Sequence, residues 1–194
     1  MTAAPNLDHP ALPALKQTFP DAGLQATEFR GQTTVVAPPA LVHDVLGFLK
    51  TLEASPYDYL ADVVGVDYLN YPEPRQGGPR GRFAVVYNLV GTGLTGGAEA
   101  PRIFVKTLLD PSLPTDGIDD DPALHLPTAT DLWPGAEWLE REVFDMLGLR
   151  FDGHPDHRRI LTWEGFPAHP HRKDYPVRGR GERENYRIVQ RDEA

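Results

Sequence analysis

The chain has 194 residues, 40% of them hydrophobic and 24% charged, which suits one domain, or one domain with a long tail. Its formal net charge of −9 argues against a dedicated nucleic-acid binder, which carries a basic footprint. The absence of cysteine excludes disulfides, a thiolate nucleophile, Cys-ligated zinc and an ordinary cysteine-ligated iron–sulfur cluster.

No apolar run approaches the ~20 residues of a membrane helix. The opening MTAAPNLDHPALPALK reads as neither a signal nor a transit peptide. The expected location is therefore the cytoplasm, alone or against a membrane complex.

Residues 10–19 predict a short first helix, stopped by Pro20 to Gly23. Leu24 to Phe29 and Thr33 to Ala37 predict two strands, with Gly31-Gln32 as the hairpin signal. Pro38-Pro39 opens a helix whose stripe is Leu41, Val42, Val45, Leu46, Leu49 and Leu52. Three β-type runs follow: Tyr59 to Leu69, Arg82 to Val90 and Arg102 to Leu109. Gly/Pro-rich loops and no helices separate them, so antiparallel pairing is expected. The acidic stretch Asp110 to Asp121 reads as a solvated loop, because the EF-hand pattern is absent. Pro134 to Leu147 is the strongest helix. It has Gly148 at the C′ position and an apolar face of Ala136, Leu139, Val143, Met146 and Leu147. The order predicts an α+β fold: a mostly antiparallel sheet with helices packed on one face.

Beyond Gly148 the periodicity stops. Residues 151–194 are expected to form a long, extended, Pro/Arg-rich arm after a domain of residues 1–150. From His171 onward the chain holds seven Lys+Arg and five Asp+Glu, so a mildly basic arm follows an acidic body. Trp163, Phe166, Tyr175, Val177, Tyr186, Ile188 and Val189 favour an arm that orders on contact with a partner over a disordered terminus.

Several constellations bear on chemistry. Gly91-x-Gly93-x-x-Gly96 follows a strand, but no helix opens within it, so a hairpin loop is the better reading than a dinucleotide site. Ser55 and Ser112, the only serines, have no G-x-S-x-G setting. Glu142 and Asp145 share a helix face and invite an acid/base or metal pair; a charged outer face with an Arg141–Asp145 tie is the preferred reading. Trp138 beside those charges fits a protein–protein contact. His154, His157, His169 and His171, near Asp152 and Asp156, admit a zinc-dependent enzyme. Prolines after His154 and His169 disfavour helical ligand geometry and favour hydrogen-bonded loop histidines.

The run from Glu137 to Leu161 closely resembles the signature of the 30 kDa subunit family of respiratory complex I. The matching positions are Glu140-Arg141-Glu142, Asp145, Met146-Leu147, His154, Arg158 and Ile160-Leu161. A second block, His169-Pro170-His171-Arg172-Lys173-Asp174-Tyr175-Pro176, resembles the family's H-P-L-R-K-D-[YF]-P and departs at His171. Weaker echoes run upstream to about residue 60.

The resemblance implies a non-catalytic, cofactor-free subunit of the peripheral arm of a proton-translocating NADH:quinone oxidoreductase. Flavin and iron–sulfur clusters would sit in partner chains. The expected partners are the larger, D-type quinone-site subunit and neighbouring iron–sulfur subunits, on the cytoplasmic side of a bacterial cell membrane, with no membrane span. Glu140, Arg141, Glu142, Asp145, His154, Arg158, Arg159, Arg172, Lys173 and Asp174 are the signature and interface candidates. Arg158, Arg159, Arg172 and Lys173 are the candidates for charge-assisted bonds to partner carboxylates, while Glu142 or Asp145 is the alternative, intramolecular acceptor. An equivalent subunit of a membrane-bound hydrogenase, or of a complex fed by another donor, remains open at this point, as does the His-cluster enzyme.

Overall fold

The computed structural model describes residues 7–71, 81–95, 97–116 and 120–182. Tyr186, Ile188 and Val189 of the expected arm, and Gly96 of the glycine pattern, lie outside them. After α1 (Ala11–Thr18) come β1 (Gln25–Phe29) and β2 (Gln32–Val36). Their register pairs Phe29 with Gln32, so the tight turn is Arg30-Gly31. Both turn residues have positive φ, 53° and 78°, as a twist-matched two-residue hairpin requires. Gln32 therefore opens the strand instead of sitting in the turn.

A short 3-10 turn leads into α2 (Val42–Lys50), which buries Val42, Val45, Leu46 and Leu49 as its stripe predicts. The meander β3 (Tyr59–Asp67), β4 (Phe83–Gly91) and β5 (Ala100–Leu109) completes a five-stranded sheet of order β1-β2-β5-β4-β3. All pairings in it are antiparallel except β2 with β5. The sheet is thus mixed. The excursion through α2 and two further strands lets the chain return beside β2 in the same direction.

Alternation along β4 turns Phe83, Val85, Tyr87 and Leu89 inward, all fully buried, and leaves Val86, Asn88 and Val90 partly open on the other face. The inward row joins Val35, Val63, Ile103 and Val105 in one core with the buried stripes of the helices. Gly65 on β3 lies directly under the third helix, α3 (Ala136–Leu147): a Cβ added there would run into Leu147 and Val143. That missing side chain lets helix and strand approach closely.

Two three-residue strands, β6 (His125–Pro127) and β7 (Arg150–Asp152), flank α3 and pair in parallel. Sequence pattern does not predict them, since three residues are too few to carry a period. The 150/151 boundary is also not a separation. Phe151 belongs to the main core, and Phe166 and Ala168 are buried. The described part of the expected arm, through Glu182, is folded back on its own chain.

Candidate functional site

The signature run builds α3 and what is clasped to it. Glu140 and Asp145 are both fully buried. Glu140 accepts hydrogen bonds from Thr128 Oγ1 (2.6 Å) and the Ala129 N–H (2.7 Å), and lies 3.9 Å from the His154 ring. Burial pushes its pKa up to about 7, against the opposing pull of the Thr128 and Ala129 hydrogen bonds.

Burial alone would raise Asp145 too. Its carboxyl nevertheless lies below the ordinary value, because the Thr162 hydroxyl and N–H, Arg159 and the Leu161 N–H all donate to it. The Ile160 N–H adds a further bond at 3.0 Å. A carboxylate that gathers three consecutive backbone N–H groups and a guanidinium is held in its charged form. The expected Arg141–Asp145 tie on an outer face is absent. Asp145 turns inward to the 159–162 loop, and Arg141 donates instead to the carbonyls of Arg158 and Arg159, at 2.9 Å each. Glu142 is exposed and shares no site with Asp145.

The second block finishes the helix. The last four carbonyls of an α-helix have no partner within it. Here Gly148, at φ 73°, donates its N–H to Phe144, and His169 Nδ1 donates to the Asp145 carbonyl at 2.9 Å. The His171 N–H reaches Met146 at 3.0 Å, and Arg172 Nε reaches Leu147 at 2.7 Å. Arg172 also donates to the Thr115 carbonyl and lies 5.7 Å over the Phe83 ring. Lys173 donates its backbone N–H to the buried Asp67, which also receives Arg82 through two nitrogens. Arg82 and the Thr115 hydroxyl both donate to Asp174. Arg159 and Arg172, expected to reach partner carboxylates, are thus engaged by this chain. Arg158, 70% exposed at its side chain and paired with Asp156, and the Lys173 ammonium remain outward.

The histidines serve the same clasp. His154 donates from Nε2 to the Glu137 carbonyl and accepts the Asp156 N–H at Nδ1. His157 accepts the Phe151 N–H and packs 4.2 Å from the Phe144 ring. Burial lowers both His157 and His169 to about 4, keeping them neutral. His171 is exposed. Among the described residues no three His, Asp or Glu side chains are placed to share a metal ion.

Sequence reasoning missed Asp67, Arg82, Thr115 and Thr128, whose partners are far away in the chain. It also missed His125, which bridges Asp120 (2.8 Å) and Asp152 (2.9 Å). Burial opposes, but these two carboxylates raise the His125 pKa above its ordinary value.

Fold and site together define a self-clasped α+β domain whose buried charges tie a returning segment to one helix. The chain belongs to the family described as the respiratory-chain NADH dehydrogenase 30 Kd subunit, whose model matches residues 35–181. NADH-quinone oxidoreductase subunit 5 of Thermus thermophilus is 43% identical over 147 residues. That match covers 76% of this chain but 63% of the Thermus protein, so the chain spans less than two thirds of that relative's length. The C-type NADH-quinone oxidoreductase subunit of Geobacter sulfurreducens is 38% identical over 173 residues, covering 89% of this chain and 91% of the relative. A solved structure of a trypsin-resistant fragment (1-134) of Nqo5 matches with a TM-score of 0.59 at 36% identity, covering 75% of this chain and 98% of the fragment.

Proposed function

We propose that the chain is a peripheral-arm subunit of a proton-translocating NADH:quinone oxidoreductase, carrying no cofactor itself and bracing the quinone-site and iron–sulfur subunits on the cytoplasmic side of the membrane. The observation that carries this reading is the family match over residues 35–181, within which the signature charges act as internal ties. A brace must hold its own shape before it positions a neighbour. Satisfied buried polar groups give that rigidity. No helix among the described residues is long and apolar enough to cross a membrane, which agrees with peripheral attachment.

What remains outward suits contact. Trp138 is 68% exposed and Leu161 63%, and Arg158 extends from the loop clasped to α3. Aromatic and Arg side chains of this kind are enriched at protein interfaces.

The test is to tag the chain in its source organism, extract membranes with mild detergent and separate complexes on a native gel. Co-migration with flavin and iron–sulfur subunits in a band with NADH:quinone activity is expected. Co-migration with a hydrogenase instead would replace the electron donor. A free, metal-loaded monomer would overturn the reading altogether.

A further inference from the structure

The main sheet has two edges, and they differ. β1 is short, with the polar sequence QATEF, which blunts pairing with other chains. β3 is nine residues long, and its central run is Val63-Val64-Gly65-Val66. Tyr68 donates its N–H to the Arg82 carbonyl at 2.7 Å. Antiparallel pairing alternates, so Val66 and Val64 also direct their backbone groups to β4, while Val63, Gly65 and Asp67 direct theirs away from the sheet. Among the described residues no partner meets those outward N–H and C=O groups.

A groove of about 610 Å³ lies beside this edge, between Gly65–Asp67 and the returning segment 170–177, with Leu147 in its lining. Its lining also holds Lys173, whose ammonium has no partner among the described residues, and Val177, which is fully exposed. Arg178, next along the segment, is exposed and also without a partner there. The nearby acids are already engaged: Asp67 by Arg82 and two backbone N–H groups, Asp174 by Arg82 and Thr115. In a chain of net charge −9, this groove is left with one uncompensated cation in its lining, Lys173, and with Arg178 just beyond Val177 at its end.

We propose that the β3 edge from Val63 to Asp67 takes an extended acidic segment of a neighbouring subunit as a sixth strand, its backbone pairing with Val63, Gly65 and Asp67 and its carboxylates meeting Lys173 and Arg178. Backbone pairing supplies the affinity, and the cations select an acidic strand and set its register. The inference rests on the proposed function, because the strand is supplied by the complex.

Amide-resolved hydrogen exchange on the full chain, alone and within the detergent-extracted complex, reads the pairing directly. The Val63, Gly65 and Asp67 amides are expected to slow at least tenfold in the complex, with smaller changes at Val64 and Val66. Zero-length carbodiimide cross-linking of the complex is expected to join Lys173 to an Asp or Glu of another subunit. The double variant Lys173→Glu/Arg178→Glu should remove that cross-link and leave the circular dichroism of the isolated chain unchanged. Equal exchange of the three amides in both states overturns the inference even when the chain co-purifies with flavin and iron–sulfur subunits. So does a cross-link only within this chain or between two copies of it. Failure to co-purify overturns the proposed function, and the docked strand with it.

Discussion

Glu140 and Asp145 lie on one helix, both without solvent exposure, yet their acidities move in opposite directions. Glu140 has two hydrogen-bond donors, both neutral, and its carboxyl rises to about 7. Asp145 has three backbone N–H groups, a hydroxyl and a guanidinium, and falls. Donor count and charge decide the sign, since burial acts on both alike.

Glu140 makes folding pH-dependent. Its folded pKa of about 7 stands above the ordinary 4.5, so the native state binds the extra proton. Its contribution is complete below pH 4.5 and is lost as pH rises through 7. The loss amounts to about 3 kcal/mol at most. Glu140→Gln keeps the shape and an acceptor but does not ionise. Urea unfolding at pH 5 and pH 7.5 should show Glu140→Gln gaining about 2 kcal/mol more stability than the wild type on going to the higher pH, because the neutral buried His157 and His169 favour the higher pH equally in both proteins.

Asp145 works the other way. Its folded pKa is depressed, so its contribution is present above the ordinary value of 3.8 and disappears as pH falls through the folded one. Asp145→Ala leaves the Arg159 guanidinium and three N–H groups without their acceptor, at a cost of about 3–5 kcal/mol. Limited trypsin digestion should then cut at Arg158 and Arg159 far faster than in the wild type, alongside a lower melting temperature.

Gly65 is required by packing. Gly65→Ala places a methyl against Leu147 and Val143 and should destabilise by about 1–3 kcal/mol. Leu147→Ala alone opens a cavity and also destabilises. The double variant should lose less than the sum of the two, because the added methyl occupies part of the space removed. Thermal unfolding of the four proteins gives the coupling directly.

Arg158 separates folding from assembly. It is exposed and pairs with Asp156, two residues away. Arg158→Ala should leave the isolated chain's melting temperature unchanged while reducing its retention in the membrane-extracted complex. Trp138→Ala, at a position 68% exposed, should behave alike. Normal assembly of both variants would remove this face from the interface.

Local period determined a large part of the architecture. α2 and α3 were legible because their apolar residues recur at helical spacing, and β3, β4 and β5 because their runs are long and bounded by Gly/Pro loops. The signature and the H-P-x-R-K-D block were legible as ordered motifs, and with them the family. The charged face that α3 would turn to solvent is partly covered instead, because periodicity places a carboxylate on a side of a helix but says nothing of what later covers that side. Asp145 is covered by residues 159–162, and Lys173 meets Asp67 across 106 residues. The parallel pairing of β2 with β5, the inward turn of Arg159 and Arg172, and the unpaired edge of β3 were likewise tertiary decisions. Hydrophobic spacing is a property of neighbours in the chain, whereas a buried charge is fixed by donors that only the folded chain brings together.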